Sequence, residues 1–446
     1  MELAVRSIEE IPIPYRSIFN EYPCFNAVQS KVLDDILHTD HSVVISSPTG
    51  SGKTVIFELA IVRLLTQCEN LNVSQDLKIV YISPIKSLCQ ERLVDWHRKF
   101  SPFGLNCASF TGDSDNVDFQ QLTNHNLIIS TPEKWDSLTR KWRDNQRIVK
   151  VVKLFLIDEV HLLNEENRGS TLEVIVSSVV SRMKTVEKTI VFSANDGDVY
   201  NQKIRFLALS ATVPNVEDIA EWLGKPPQIK YHRFSEEMRP VKLKKIVLGY
   251  SYNPKTMSPF KFDLTLNYKL QSLIMQHSEG KPTLIFLQYK EKRGNDSQSH
   301  SADPKNPPQR RAKAKIDGRC RFAYRLQGQS DHKARHWVSS CSHIPWMIAD
   351  TRHAIENLFR RGDLPVLVTT SSLAMGVNLP AHLVIVKSTK CYDTGGFRDY
   401  TETAIHQMIG RAGRPQFDVS ATALILTTNE DKAWDEVTES DVGWYD

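Results

Sequence analysis

The chain has 446 residues, 41% of them hydrophobic and 24% charged, with a formal net charge of +4. That length exceeds one ordinary hydrophobic core and predicts two domains, while the composition excludes a disordered or fibrous protein. So mild a charge excludes a globally basic surface and leaves a local basic groove for any nucleic-acid partner; the seven scattered cysteines, with no C-x-x-C pair, exclude a disulfide framework and point to a reducing compartment.

The opening MELAVRSIEEIPIPYRS puts charges and prolines where a signal peptide needs an apolar run, and no stretch approaches the length of a membrane span. No membrane partner is expected. Short apolar, β-branched runs then recur, each followed by helical spacing: HSVVISSP (41–48), KIVYISP (78–84), NLIIST (126–131), VKLFLIDE (152–159) and RFLALSAT (205–212). Strands apolar on both faces are what a parallel sheet covered by helices requires.

The first of these strands ends in SPTGSGKT, Ser47 to Thr54, and a helical pattern follows, which is the setting a phosphate-binding loop needs. The loop of Ser47, Pro48, Thr49, Gly50, Ser51 and Gly52 can wrap a phosphate, with backbone N–H groups around Gly50, Ser51 and Gly52 converging on it, Lys53 can neutralise its oxygens, and Thr54 can offer a hydroxyl to Mg²⁺. The alternative is a chance glycine-rich turn. The partner is LIDEVH, Leu156 to His161, where Asp158 can hold Mg²⁺ and Glu159 can orient and deprotonate an attacking water. Two adjacent carboxylates on an apolar strand are costly unless a cation meets them. LALSAT closes the next strand with Ser210 and Thr212, whose hydroxyls are expected to bond that carboxylate pair.

The pattern pauses over 225–243, KPPQIKYHRFSEEMRPVKL, read as a joint near residue 235, and resumes with TLIFLQ (283–288), PVLVTTSS (365–372), HLVIVKS (382–388) and ATALILTT (421–428). Residues 1–235 and 236–446 are therefore predicted as two α/β domains in series, each a mostly parallel sheet flanked by helices. The polar, basic stretch at about 291–329 is predicted to be a disordered insert in the second. Cys320, His332, His336, Cys341 and His343 fit no standard zinc spacing. QRRAKAK, Gln309 to Lys315, serves a nuclear signal or a nucleic-acid contact no better than a solvated charge run.

PTGSGKT, SPIKSLCQER, TPEKWDS, DEVH, LSATVPN, TTSSLAMGVNLPAH and QMIGRAGRPQFD, in that order, resemble the Ski-type branch of superfamily-two helicases. TPEKWDSLTRKWRDN, FNAVQSKVLDDIL and FKFDLTLNYK are most similar to its meiotic, crossover-promoting DNA helicases. The resemblance implies two tandem RecA-like domains, ATP and Mg²⁺ as cofactors, and an ATP-dependent DNA helicase motor in the nucleus. It further implies 3′-to-5′ movement on single-stranded DNA, with branched or duplex DNA as substrate, and a working monomer. RNA as substrate, or a truncated form that binds without unwinding, is the alternative.

By position, the resemblance implies that Gln29 reads adenine and that Pro84, Lys86, Thr111, Gly112, Thr131 and Pro132 line a strand-binding face. Thr369 and Thr370 belong to the second domain's strand contacts, and Gly376 to its coupling with ATP. Gln407, Arg411 and Arg414 face the nucleotide, the arginines stabilising charge that develops in phosphoryl transfer. Tyr392, Phe397 and Tyr400 fall in an interval that is a duplex-splitting hairpin in the branch. Members of the branch continue into winged-helix and helical domains, so the chain is expected to represent the motor alone.

Overall fold

The computed structural model describes residues 5–70, 77–112, 122–139, 151–164, 173, 177, 181, 204–213, 215–224, 228–287, 341–343, 349–371, 379–393, 396–415 and 417–432. The chain divides into two compact units, Met1–Pro240 and Val241–Asp446.

In the first unit, α1 (Ala27–Leu37), β1 (Ser42–Ser46), α2 (Lys53–Asn70), β2 (Lys78–Ile82), α3 (Lys86–Phe100), β3 (Cys107–Phe110), β4 (Leu127–Ser130), α4 (Pro132–Thr139), β5 (Val152–Ile157), β6 (Arg205–Ser210), α5 (Val216–Leu223) and β7 (Ile229–Arg233) follow one another. The seven strands form one sheet in the order β3-β4-β2-β5-β6-β1-β7, with every pairing parallel. Alternate residues serve opposite faces, as a pleated strand requires. Val43, Ile45, Ile79, Tyr81, Leu127, Ile129, Leu207 and Leu209 pack with α1, α2 and α3, while Val44, Val80, Ile82, Ile128, Phe206 and Ala208 pack with α5 and Trp135. Burial on both faces is why the central strands read as unbroken apolar runs.

The second unit contains β8 (Lys242–Tyr250), α6 (Pro259–His277), β9 (Thr283–Phe286), β10 (Cys341–His343), α7 (Ala349–Arg361), β11 (Val366–Thr369), β12 (Leu383–Val386), β13 (Lys390–Asp393), β14 (Gly396–Asp399), α8 (Glu402–Ile409) and β15 (Ser420–Thr428). Six of these strands form a second parallel sheet, β10-β11-β9-β12-β15-β8. The faces are again shared out: α6 covers Ile285, Leu383, Ile385, Leu424 and Leu426, and Leu284, Val384, Val386 and Ala423 meet Ile355, Phe359 and Met408. The two-domain α/β reading is thus the architecture found.

Two elements correct the pause read over 225–243. Strand β7 lies inside it and β8 begins in it. Each is an edge strand with exposed positions, Lys230 and Tyr231 in one and Lys242 and Lys244 in the other, and edge lysines give a strand the look of a linker. The insert read at 291–329 lies outside the described residues. Among those described, no helix is long and apolar enough to cross a membrane.

Candidate active site

Strand β1 delivers the chain to a tight loop and α2 takes it away. Gly50 and Gly52 hold φ of 82° and 75°, a left-handed backbone that glycine adopts without penalty. Glycine is also demanded by space, since a Cβ on Gly52 would stand 2.4 Å from Gln29 Nε2. Ser47 and Pro48 are buried, Thr49 and Thr54 half-buried and Gly50 exposed. Ser47 Oγ and Ser51 Oγ are 2.9 Å apart, and Lys53 Nζ donates to Ser47 O at 3.2 Å. The free N–H groups of an 18-residue helix begin here, so the loop has the donors and the dipole that an anion requires.

Gln29 is beside this loop, but its carboxamide works within the chain. Oε1 accepts from Asn26 N at 3.0 Å, completing a capping box at the start of α1, and Nε2 donates to Gly52 O at 3.0 Å. Asn26 Nδ2 donates to Ser51 O at 2.9 Å. The side chain expected to read adenine is thereby a brace for the phosphate loop, buried rather than presented on the helix surface.

At the end of β5, Asp158 Oδ1 accepts the N–H of Glu159 at 3.0 Å and Oδ2 accepts the Tyr81 hydroxyl at 2.6 Å. Burial, and then the neighbouring Glu159 charge, push the Asp158 carboxyl up to about 6, against the pull of Tyr81, Lys53 and Arg92. Glu159 sits at φ 54°, a conformation that costs a non-glycine residue energy and is typical of functional turns.

Ser210 does not make the bond expected of it, its buried Oγ standing without a hydrogen-bond partner, and Thr212 is exposed. The tie between the DEVH and SAT segments is His161, whose Nδ1 accepts from Ala211 N at 3.0 Å. Accepting there requires the neutral ring with its proton on Nε2. Burial, aided by Lys53, accordingly drives the His161 pKa down to about 3. Ser46 supplies a further tie, its hydroxyl accepting from Val213 N at 2.9 Å and donating to Ala211 O at 3.1 Å. His161 is the last residue of the DEVH motif, whereas neither Tyr81 nor Ser46 carries a sequence signal beyond being a polar group in an apolar strand.

The strand-face residues of the first unit gather at the carboxyl ends of three neighbouring strands. Ile82, Phe110 and Ser130 end β2, β3 and β4 in mutual register. Beyond them follow buried Pro84 and exposed Lys86, half-buried Thr111 and exposed Gly112, and buried Thr131 and Pro132. Lys86 Nζ lies 3.3 Å from where a Cβ on Gly112 would be.

In the second unit Thr369 ends β11 and Thr370 follows it, and Thr369 Oγ1 donates to Thr370 O at 3.3 Å; Gly376 lies outside the described residues. Gln407 is buried on α8, and Arg411 follows it half-buried. Arg414 is clamped locally. Its Nε and Nη2 donate to Asp418 Oδ2 and Oδ1 at 2.8 and 3.1 Å, and its guanidinium lies 5.2 Å from the Phe417 ring centroid. Asp418 is buried, which works against its charged form, but the Arg414 bonds outweigh burial and hold its pKa below the ordinary carboxylate value. His382 Nδ1 stands 3.2 Å from Asp418 Oδ1. Strands β13 and β14 form a two-stranded antiparallel hairpin that pairs Tyr392 with Phe397. Cys320, His332 and His336 lie outside the described residues, as does QRRAKAK.

Residues 26–219 match the family model of the DEAD/DEAH box helicases, and residues 266–416 that of the helicase conserved C-terminal domain. Over 430 residues the chain is 49% identical to the Homo sapiens protein named "Probable ATP-dependent DNA helicase HFM1", covering 95% of this chain and 29% of that one. It is 38% identical over 426 residues to "ATP-dependent DNA helicase MER3" of Saccharomyces cerevisiae, covering 95% and 33%. With "DExH-box ATP-dependent RNA helicase DExH14" of Arabidopsis thaliana it shares 35% over 440 residues, covering 95% and 19%. The chain thus spans a third or less of the length of these relatives. A solved structure of the DUF1998 helicase MrfA bound to DNA shares the fold at a TM-score of 0.68 and 17% identity, over 99% of this chain and 55% of that one.

Proposed function

We propose that this chain, residues 26–219 of which match the DEAD/DEAH box helicases and residues 266–416 the helicase conserved C-terminal domain, is the motor of an ATP-dependent DNA helicase. It couples ATP hydrolysis to 3′-to-5′ translocation on single-stranded DNA and to unwinding of duplex or branched DNA. It acts as a monomer in the nucleus, in meiotic recombination. The names of its relatives HFM1 and MER3 support DNA as the substrate.

The observation that carries the proposal is the meeting, at the carboxyl edge of one parallel sheet, of the Lys53 loop with the Asp158–Glu159 pair, close enough for Lys53 to act on the Asp158 charge. Ligands collect at that edge in open α/β sheets. The residues fit a divalent cation: Asp158 is a half-buried carboxyl whose pKa stands at about 6 beside a second carboxylate, and Ser210 Oγ is a buried hydroxyl still lacking a partner. Thr54 and Asp158 would hold Mg²⁺, which when bound draws charge from the phosphate oxygens.

Lys53 and the loop N–H groups hold the triphosphate, and Glu159 takes the proton of the attacking water. Arg411 and Arg414 offset charge developing on the phosphate, with Gln407 alongside. Thr131 in the first unit and Thr369 and Thr370 in the second supply hydroxyl and backbone contacts to strand phosphates, and Pro84, Lys86, Thr111, Gly112 and Pro132 shape the strand face of the first unit, which makes binding tolerant of base sequence.

Glu159→Gln should lower DNA-stimulated ATPase activity by about 10²–10³-fold while nucleotide binding persists. A parent chain whose ATPase rate in the presence of single-stranded DNA matches that of E159Q is not an ATP-driven motor. Stimulation by single-stranded RNA with none by DNA would move it to the RNA helicases, for which the 35% identity to DExH14 is the specific support.

A further inference from the structure

Tyr81 lies in β2, outside every segment given a chemical part above. Its side chain is wholly buried, and its ring is held edge-on by Phe57 of α2 (5.6 Å, 85°) and Trp96 of α3 (5.0 Å, 76°). Trp96 Nε1 donates to the buried Glu58 Oε1 of α2 at 3.1 Å, and Lys99 Nζ of α3 donates to the same oxygen at 2.8 Å. The tyrosine is therefore fixed by two helices that are themselves cross-tied, one of them the helix that opens with Lys53. From that position its hydroxyl reaches Asp158 Oδ2 at 2.6 Å, a distance typical of a charge-assisted O–H···O⁻ bond.

Asp158 receives one fixed donor on each oxygen, the Tyr81 hydroxyl on Oδ2 and the Glu159 N–H on Oδ1. Two donors set the plane of a carboxylate and leave its other lone pairs with a defined direction. Outer partners of this kind orient the groups that ligate a metal, and losing one costs metal affinity.

We propose that Tyr81 is a positioning residue of the nucleotide site, fixing through its hydroxyl the orientation in which Asp158 receives the divalent cation that accompanies a nucleotide. This rests on the reading of the first unit as a Mg²⁺-nucleotide site. A purely structural tyrosine differs in what it needs: packing demands the ring, whereas positioning demands the oxygen.

The test compares Tyr81→Phe, which keeps the ring, with Tyr81→Leu, which loses ring and hydroxyl, in the full chain. Binding of a fluorescent ADP is followed at equilibrium as Mg²⁺ is titrated, alongside thermal unfolding. Y81F should raise the Mg²⁺ concentration for half-maximal tightening about tenfold while its metal-free ADP affinity stays that of the parent and its melting temperature, lowered by the lost bond to Asp158, stays above that of Y81L. Y81L should show the same shift together with a lower melting temperature. A Y81F half-point within twofold of the parent, with Y81L merely less stable, overturns the proposal. A parent that binds ADP with no dependence on Mg²⁺, or no more tightly than Lys53→Ala, removes the nucleotide-site reading and this inference with it.

Discussion

Gln29→Ala separates a base reader from a loop brace. In the parent, Gln29 spends Oε1 on the N–H of Asn26 and Nε2 on the carbonyl of Gly52. The substitution deletes both bonds. The Gly52 carbonyl keeps the Val55 N–H at 3.2 Å, so its loss stays near the ordinary net value of about 1 kcal/mol, and losing the acceptor for Asn26 N adds about 1 more. A loss of about 2 kcal/mol in a unit of this size lowers the melting temperature by about 4–8 °C. Because the damage is to the loop proposed to hold phosphates, affinity should fall by the same factor for adenine and guanine nucleotides. Gln29→Glu should weaken binding further, since a carboxylate keeps the bond to Asn26 N but sets negative charge against the Gly52 carbonyl. The assay is equilibrium binding of fluorescent ADP and GDP to parent, Q29A and Q29E, with thermal unfolding of each. A tenfold loss for ADP with GDP untouched would mean that Gln29 reads the base and that its bond to the loop is incidental.

His161 predicts a pH dependence. Its folded pKa of about 3 lies below the ordinary histidine value of 6.5, so the unfolded chain takes up a proton that the folded one refuses, and this stability, full above 6.5, drains away as pH falls towards 3, with a slope of up to about 1.4 kcal/mol per pH unit. The stability of the parent relative to His161→Asn should therefore shrink between pH 7 and pH 4 in urea unfolding, and a constant difference would refute the assignment of a neutral, buried ring. Asp418→Ala should cost the second unit about 3 kcal/mol, the low end for a broken buried pair, because the Arg414 side chain is 22% exposed and can turn to water. Asp418→Asn, which keeps one acceptor, should cost less, and a denaturation midpoint for D418A equal to that of the parent would mean that the clamp contributes nothing to stability.

The legible part of the fold was its interior. Strands such as Val43 to Ile45 and Leu383 to Val386 are buried on both faces, so they are apolar throughout and announce themselves. Edges are different: β7 alternates Ile229 with exposed Lys230 and Tyr231, β8 opens Lys-Leu-Lys-Lys, and β3 is the four-residue CASF, and such segments satisfy loop composition as well as strand composition. In the site, the phosphate loop and the carboxylate pair were legible because their residue types are local and contiguous. The bonds that place them were not, because they join positions far apart in the chain. Tyr81 is 77 residues from Asp158, Ser46 is 167 from Val213, and His161 is 50 from Ala211. Spacing within a motif cannot encode which buried hydroxyl meets which carboxylate: Asp158 meets Tyr81 rather than Ser210, and His161 rather than a hydroxyl joins the DEVH and SAT segments.

The same distinction separates the two arginines of GRAGR. Both stand in one short run, and by sequence they are equivalent donors of positive charge. Asp418, four residues beyond Arg414, takes Nε and Nη2 of that guanidinium and also accepts the Arg414 N–H at 3.1 Å. Only Nη1 then remains outside the clamp, on a guanidinium whose plane is already set. A planar fork held by a bidentate carboxylate loses little further entropy when it makes another bond. Under the proposed function Arg414 thus brings a pre-oriented single donor. Arg414→Lys should for that reason lower both the ATPase rate and the unfolding midpoint of the second unit, because the clamp requires two nitrogens in one plane. An R414K midpoint equal to that of the parent would show that the clamp plays no part in how this arginine is held.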